Sequence, residues 1–283
     1  MLPLFIRSIK FLIGATFVGV LAWALLWTVV DTVQNPPAET AEEAMHHHPK
    51  ELDLPSNGVF GHFTATEEST RQLQRGFLVY EKVCASCHSL NLVSFRDLQQ
   101  LGYNEAEVKK IAKDWAVKQP VQDPKAGTWG ERDNLPSDRF PKVYYPGTGT
   151  PPDLSLMTKA RHDGAAYVYS LLTGYDEKPS AEALKKFPEF AKTPDGMHFN
   201  PYFANLNIAM PPPLTGDDQV TYSDGTRATK DQMAKDVAAF LVWTAEPTLQ
   251  RRHSAGLAVV LFLLIATGLA YGAYLTVWRG VKH

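Results

Sequence analysis

The 283-residue chain owns two cysteines, and both stand beside a histidine in the stretch VYEKVCASCHSL, as Cys84, Cys87 and His88. One pair cannot make a disulfide framework, and a gap of two residues is too tight for an ordinary structural bridge, so these thiols are kept for chemistry. C-x-x-C-H is the attachment pattern of c-type haem: two thiols at this spacing reach the two vinyl groups, and the next residue's imidazole meets the iron. A redox C-x-x-C needs a preceding strand in a βαβ context, and half of a zinc site needs a second cysteine pair; the sequence offers neither. Covalent attachment also accounts for the cysteine count, because an exported chain that must deliver two reduced thiols is helped by having no others to mispair. The expectation is one covalently bound haem c per chain.

A haem iron has either a sixth ligand, which makes an electron carrier, or an open position, which makes an enzyme or a gas sensor. Beyond Met1 the methionines are Met45, Met157, Met197, Met210 and Met233, and each can equally be a gap-filler in a core. Met45 falls in a linker-like stretch and Met233 on the apolar stripe of a helix. Met157 follows PPDLSL, and Met197 sits in a polar loop. Met210 lies in NIAMPPPL, where Pro211, Pro212 and Pro213 hold the following backbone extended. A rigid strap suits a thioether ligand, so local context favours Met210 over Met197. His46, His47 and His48 read as solvated linker residues and not as a metal site, since nothing in a linker orients them. No Ser/His/Asp constellation, phosphate-cradling glycine loop, distal acid–base residue or nucleic-acid signal stands out.

Helices must position these groups. Residues 67–83 carry Leu73, Phe77, Leu78 and Tyr80 as an apolar stripe running into Cys84, so the cysteines are expected at a helix end. A second helix is expected over 164–173, with Gly174 after it as a stop signal. A third is expected over 229–244, capped by Thr229, with Met233, Val237, Phe240 and Leu241 on one face. The Pro-, Gly- and Asp-rich stretch 118–152 reads as irregular loop. The fold class is mainly α with long loop insertions.

Residues 11–30 and 254–278 are free of charge and long enough to cross a bilayer. All 30 acidic residues lie between them, and residues 31–250 set these 30 against 22 basic ones, so the middle is a soluble domain of net −8. Arg7 and Lys10 before the first span, and Arg279 and Lys282 after the second, put both termini in the cytoplasm; Arg251 and Arg252 oppose this. The first span is longer than a signal peptide's apolar region, although either reading exports the domain. The expected organisation is an N-terminal membrane helix or signal anchor (1–33), a linker (34–55), an exported haem domain (56–250) and a C-terminal anchor with a short tail (251–283). Gly268 and Gly272 give the second span a close-packing face.

The ordered set RGFLVYEKVCASCHSLNLVSFRDL, PPDLSLMTKARHDGAAYVYSLLTGY, NIAMPPPL and DGT-x-AT, followed by a final membrane span, resembles the cytochrome c1 family from about Leu54 to the C-terminus. The resemblance implies a class I cytochrome c core tethered by a C-terminal helix. It implies thioethers on Cys84 and Cys87, and iron ligands His88 and Met210. It places Arg161 and Tyr167 toward the propionates and Pro152 against the haem. It further implies the electron-transfer subunit of a quinol–cytochrome c oxidoreductase in a bacterial inner membrane, with the haem domain in the periplasm. The partners implied are a cytochrome b subunit, a Rieske iron–sulfur protein and a soluble or tethered cytochrome c, in a dimeric complex with no nucleic acid. Some members carry a further cysteine pair that this chain lacks. A tethered haem protein of another kind, an oxidase subunit or a sensor, would differ in its partner or in an open sixth position.

Overall fold

A computed structural model describes residues 2–54, 67–123, 125, 127–147 and 149–280. Pro55 of the expected linker, residues 56–66 of the expected haem domain and Lys282 of the expected tail lie outside the described residues. The chain divides into two units, Met1–Ala44 and Met45–His283.

In the first unit α1 (Leu2–Gln34) contains the apolar stretch Ile9–Gln34, long and apolar enough to cross a membrane. Thr16, Thr28 and Thr32 turn their hydroxyls back onto the carbonyls of Leu12, Ala24 and Thr28 at 2.8, 2.9 and 2.8 Å. Such internal pairing is what an apolar surrounding demands of a hydroxyl. The short helix α2 (Ala41–Met45) is opened by Thr40, whose hydroxyl accepts from the Glu43 N–H while the Glu43 carboxylate accepts from the Thr40 N–H.

The second unit is mainly α. Its frame is the packing of α3 (Glu67–Val79) on α7 (Lys230–Ala245), with α5 (Gly164–Thr173) beside α7. Gly76 makes the first contact possible: a Cβ there would stand 2.1 Å from the Asp236 carbonyl oxygen, so only glycine lets the two helices approach so closely. Arg75, the next residue back, is 7% exposed and donates to Asp236 at 3.0 Å and to Asp224 at 2.6 Å. Asp236 is fully buried and also accepts from Gln232 at 2.8 Å. Phe77, Tyr80, Phe95, Trp115, Phe140 and Phe240 form an aromatic core under this crossing, with the Phe95 and Phe140 centroids 4.2 Å apart. Each such side chain contributes roughly 1.5–3 kcal/mol by leaving water.

The expected helices appear in place, the third with the Thr229 hydroxyl accepting from the Gln232 N–H at 3.1 Å. Other helices went unread. A 3-10 helix covers Phe95–Leu101, and α4 (Glu105–Asp114) is opened by a reciprocal cap between Asn104 and Glu107. The expected loop region holds one antiparallel pair, β1 (Gln119–Gln122) with β2 (Trp129–Arg132). Next come α6 (Ala181–Lys186) and a second hairpin, β3 (His198–Phe199) with β4 (Asn207–Ile208). The chain ends in α8 (Leu249–Val277), whose stretch Arg251–Val277 is also long and apolar enough to cross a membrane.

The expected linker departs from its composition. Met45 and Leu54 are 3% and 1% exposed, and the backbone of His47 and Lys50 bonds to residues far along the chain. Proline and charge suggested a solvated tether, but the surface that accepts this segment comes from residues 170–202, which no local pattern reveals.

Candidate haem-binding site

The end of α3 widens before the cysteines. Over Tyr80–Cys84 the helix takes a π turn, closed by the Ala85 N–H bonding to the Tyr80 carbonyl at 2.8 Å. The next turn folds back on Cys84, whose carbonyl accepts from the Cys87 and His88 N–H groups at 3.1 and 2.9 Å. Cys84, Cys87 and His88 are therefore brought onto one tight turn, all half-buried. Buried Tyr80 donates its hydroxyl to the His88 carbonyl at 3.0 Å and pins that turn to the core. Burial pushes the Cys84 thiol up to about 12, with neighbouring Cys87 adding to the shift.

The segment 152–155 lies along 88–92. The Leu154 N–H donates to the Ser89 carbonyl at 2.9 Å, and Asp153 accepts from the Asn91 N–H at 2.7 Å. The Ser155 hydroxyl accepts from the Leu92 N–H at 3.1 Å. This lining-up places the Pro152 carbonyl 2.8 Å from His88 Nδ1. Burial lowers the His88 pKa, against the Pro152 bond and the Asp153 charge, which raise it, so the ring is held neutral. A neutral ring that donates Nδ1–H to a carbonyl keeps its lone pair on Nε2, the tautomer a metal-binding imidazole needs. The donor set fits haem c: two thiols and one oriented imidazole on one tight turn.

Met210 follows the β3–β4 hairpin and is half-buried, its carbonyl accepting from the Tyr175 hydroxyl at 3.0 Å. Tyr175 lies just past α5, and burial pushes its hydroxyl pKa above the ordinary tyrosine range. Asn200, fully buried, ties the hairpin to the same helix end: its Nδ2 donates to the Leu171 carbonyl at 2.8 Å and its Oδ1 accepts from the Tyr202 N–H at 3.1 Å. Gly174 is the seat of this contact, since a Cβ there would come 2.5 Å from the Tyr202 ring. Tyr167 on α5 is half-buried against the core. Arg161 is exposed, its Nη1 donating to the Ala160 carbonyl at 3.0 Å. Of the other methionines, Met45 and Met233 are buried, Met157 continues the segment that orients His88, and Met197 is half-buried in its loop.

Sequence reasoning identified the thiols and the imidazole but missed what orients them. Tyr80 is the core residue its apolar stripe implies, but its bond to the His88 carbonyl and the roles of Asp153, Ser155, Tyr175 and Asn200 have no local signal.

Residues 54–281 match the model of the cytochrome C1 family. Cytochrome c1 of Rhodospirillum rubrum is 40% identical over 242 residues, 80% of this chain and 86% of that protein. A mitochondrial cytochrome c1 heme protein of Arabidopsis thaliana is 38% identical over 258 residues, 88% of this chain and 78% of that protein. The Bradyrhizobium diazoefficiens protein named cytochrome b/c1 is 40% identical over 242 residues, 78% of this chain and 34% of that protein. A C-x-x-C-H turn with an oriented imidazole, on a chain matched along most of its length, leads to one conclusion: the chain belongs to the cytochrome c1 family.

Proposed function

We infer that this chain is the membrane-anchored electron-transfer subunit of a quinol–cytochrome c oxidoreductase, carrying one haem c on thioethers from Cys84 and Cys87. His88 and Met210 are its iron ligands. When bound, the haem supplies a one-electron iron couple, and a thioether ligand suits it to the high-potential end of a chain. The residues of this chain do no bond chemistry. They hold the imidazole neutral and oriented, and present a thioether from a proline-stiffened strap. The observation that carries the reading is the His88 Nδ1 bond to the Pro152 carbonyl at 2.8 Å on a turn that also presents both thiols.

Electrons arrive from a Rieske iron–sulfur protein and leave to a soluble or tethered cytochrome c. The name cytochrome b/c1 borne by the Bradyrhizobium relative supports a cytochrome b partner. The exported domain faces the periplasm of a bacterial inner membrane, with α1 and α8 as its anchors and the assembly dimeric. Arg252, which opposes this orientation by the count of flanking charges, is paired with Glu246 at 2.7 Å, so its charge is compensated at the start of α8. Arg161 and Tyr167 serve the propionates, and Pro152 backs the proximal imidazole.

The test is Met210→Leu in the full-length, haem-loaded protein. Leucine keeps the bulk and apolar character, so haem stays covalently attached. The far-red charge-transfer band of the oxidised protein disappears, the potential drops, and reduced protein binds carbon monoxide. Retention of band and potential in this variant, with their loss in Met197→Leu, overturns the ligand assignment.

A further inference from the structure

The segment that composition marks as a linker grips the part of the molecule that leads to Met210. The His47 N–H donates to the Pro201 carbonyl at 2.8 Å, and the His47 ring stands edge-on to Tyr202 at 5.8 Å. The Lys50 N–H donates to the Ser170 hydroxyl at 2.8 Å, and Lys50 Nζ reaches Thr173 at 3.1 Å on the last turn of α5. All of this converges on Glu177. One carboxylate oxygen accepts from Lys50 Nζ at 2.9 Å and from the Tyr202 hydroxyl at 3.0 Å; the other lies 3.1 Å from His47 Nδ1. Lys50 Nζ also sits 5.2 Å from the centre of the Tyr202 ring. Three separated stretches, 45–50, 170–177 and 200–202, are thus joined at one carboxylate.

The hairpin that Tyr202 tops runs directly into Met210, and the Tyr175 hydroxyl, two residues before Glu177, holds the Met210 carbonyl. The grip therefore acts on both ends of the Met210 strap: on the hairpin that enters it and on the helix end to which it is bonded. The hairpin is only two residues deep on each strand, so its hold on α5 comes from its tip, where Asn200, Tyr202 and Leu206 are buried.

We propose that residues 45–50 form a clasp, with Glu177 as its node, that positions Met210 by closing the β3–β4 hairpin onto α5. His47, Lys50, Glu177 and Tyr202 are positioning residues, acting on the iron site through the hairpin and Tyr175. The proposal rests on Met210 being the sixth ligand. Opening the clasp raises the population in which the strap is lifted, without touching the thioethers or His88.

The experiment uses full-length, haem-loaded protein in detergent and compares Glu177→Ala, Lys50→Ala, Lys50→Arg and Met210→Leu. The readouts are haem retention on a denaturing gel, the far-red band of the oxidised form, and carbon monoxide association with the reduced form. Glu177→Ala and Lys50→Ala keep covalent haem, weaken the band and speed carbon monoxide association by roughly tenfold, the factor equivalent to about 1.4 kcal/mol. Lys50→Arg, which keeps the charge and the donors, holds the wild-type rate. Tyr202→Phe removes a single hydroxyl and gives the same change on a smaller scale, which decides the matter if Glu177→Ala does not accumulate. Wild-type band and rate in Glu177→Ala, Lys50→Ala and Tyr202→Phe, beside a lost band in Met210→Leu, overturn the clasp and leave the ligand assignment standing. A band retained in Met210→Leu removes the ligand assignment itself, and with it the clasp's role.

Discussion

His88 is held by its own turn, by Tyr80 eight residues earlier, and by a short segment laid along it from 152 to 155. Met210 is held through a longer chain of dependence: the Tyr175 hydroxyl on its carbonyl, Asn200 on the end of α5, and the 45–50 segment over the outside. The first side is a run of bonds between two adjacent segments, each with a backbone group at one end, seated on an aromatic core. The second is mostly side chains meeting across large gaps in sequence. A run of bonds along two adjacent segments on the core opens only with the fold around it, while the tethers on the hairpin can be released one at a time. The two sides should therefore fail differently, although both depend on the α3–α7 crossing.

The largest expected effect removes that shared support. Arg75→Ala leaves Asp236 buried without its partner at the crossing, and breaking a buried pair from one side costs about 3–5 kcal/mol. Urea denaturation followed by helix signal and tryptophan emission should show a lower midpoint with both probes moving together. Probes that separate, with the His88 side surviving, would mean that the crossing does not underlie both sides.

A smaller effect should fall on one side alone. Asn200→Ala strips the Leu171 carbonyl and the Tyr202 N–H of their buried partner, at about 1–3 kcal/mol. Hydrogen exchange should quicken across 198–210 while the amides of His88, Asn91 and Leu92 stay protected. Equal loss of protection on both sides would contradict the contrast drawn between them.

The same contrast explains what could be read from the sequence. Cys84, Cys87 and His88 were legible because haem attachment fixes their spacing along the chain. The helices over α3, α5 and α7 were legible because apolar periodicity and the Thr229 cap are local. The Asn104–Glu107 cap of α4 is a local signal too and went unread. The docking of 45–54 was not legible at all: Met45, His47 and Lys50 in a proline-rich, charged stretch carry no sign of Ser170, Glu177 or Tyr202, which meet them only once α5 and the hairpin are in place. The Arg75 pair is similar, since an arginine on an otherwise amphipathic helix reads as a solvated charge until Asp224 and Asp236 are brought over it.

The smallest effect is a pH dependence that should belong to one side. Burial pushes the Glu177 carboxyl up, but Lys50, Tyr202 and His47 together outweigh it and hold the group below its ordinary 4.5. With the folded pKa under the unfolded one, the unfolded chain takes up the proton first as acid is added. The clasp's contribution is therefore intact above pH 4.5 and is lost as pH falls through the folded value. Oxidised protein titrated downward through this range should lose its far-red band while haem stays attached and helix content holds, because the Met210 side loosens before the His88 side. Glu177→Gln cannot gain a proton, so it should begin with a weaker band and show a shallower acid step over the same range. Titration curves that coincide for wild type and Glu177→Gln would place the acid-sensitive group elsewhere. Loss of helix content in step with the band would mean that the two sides open as one.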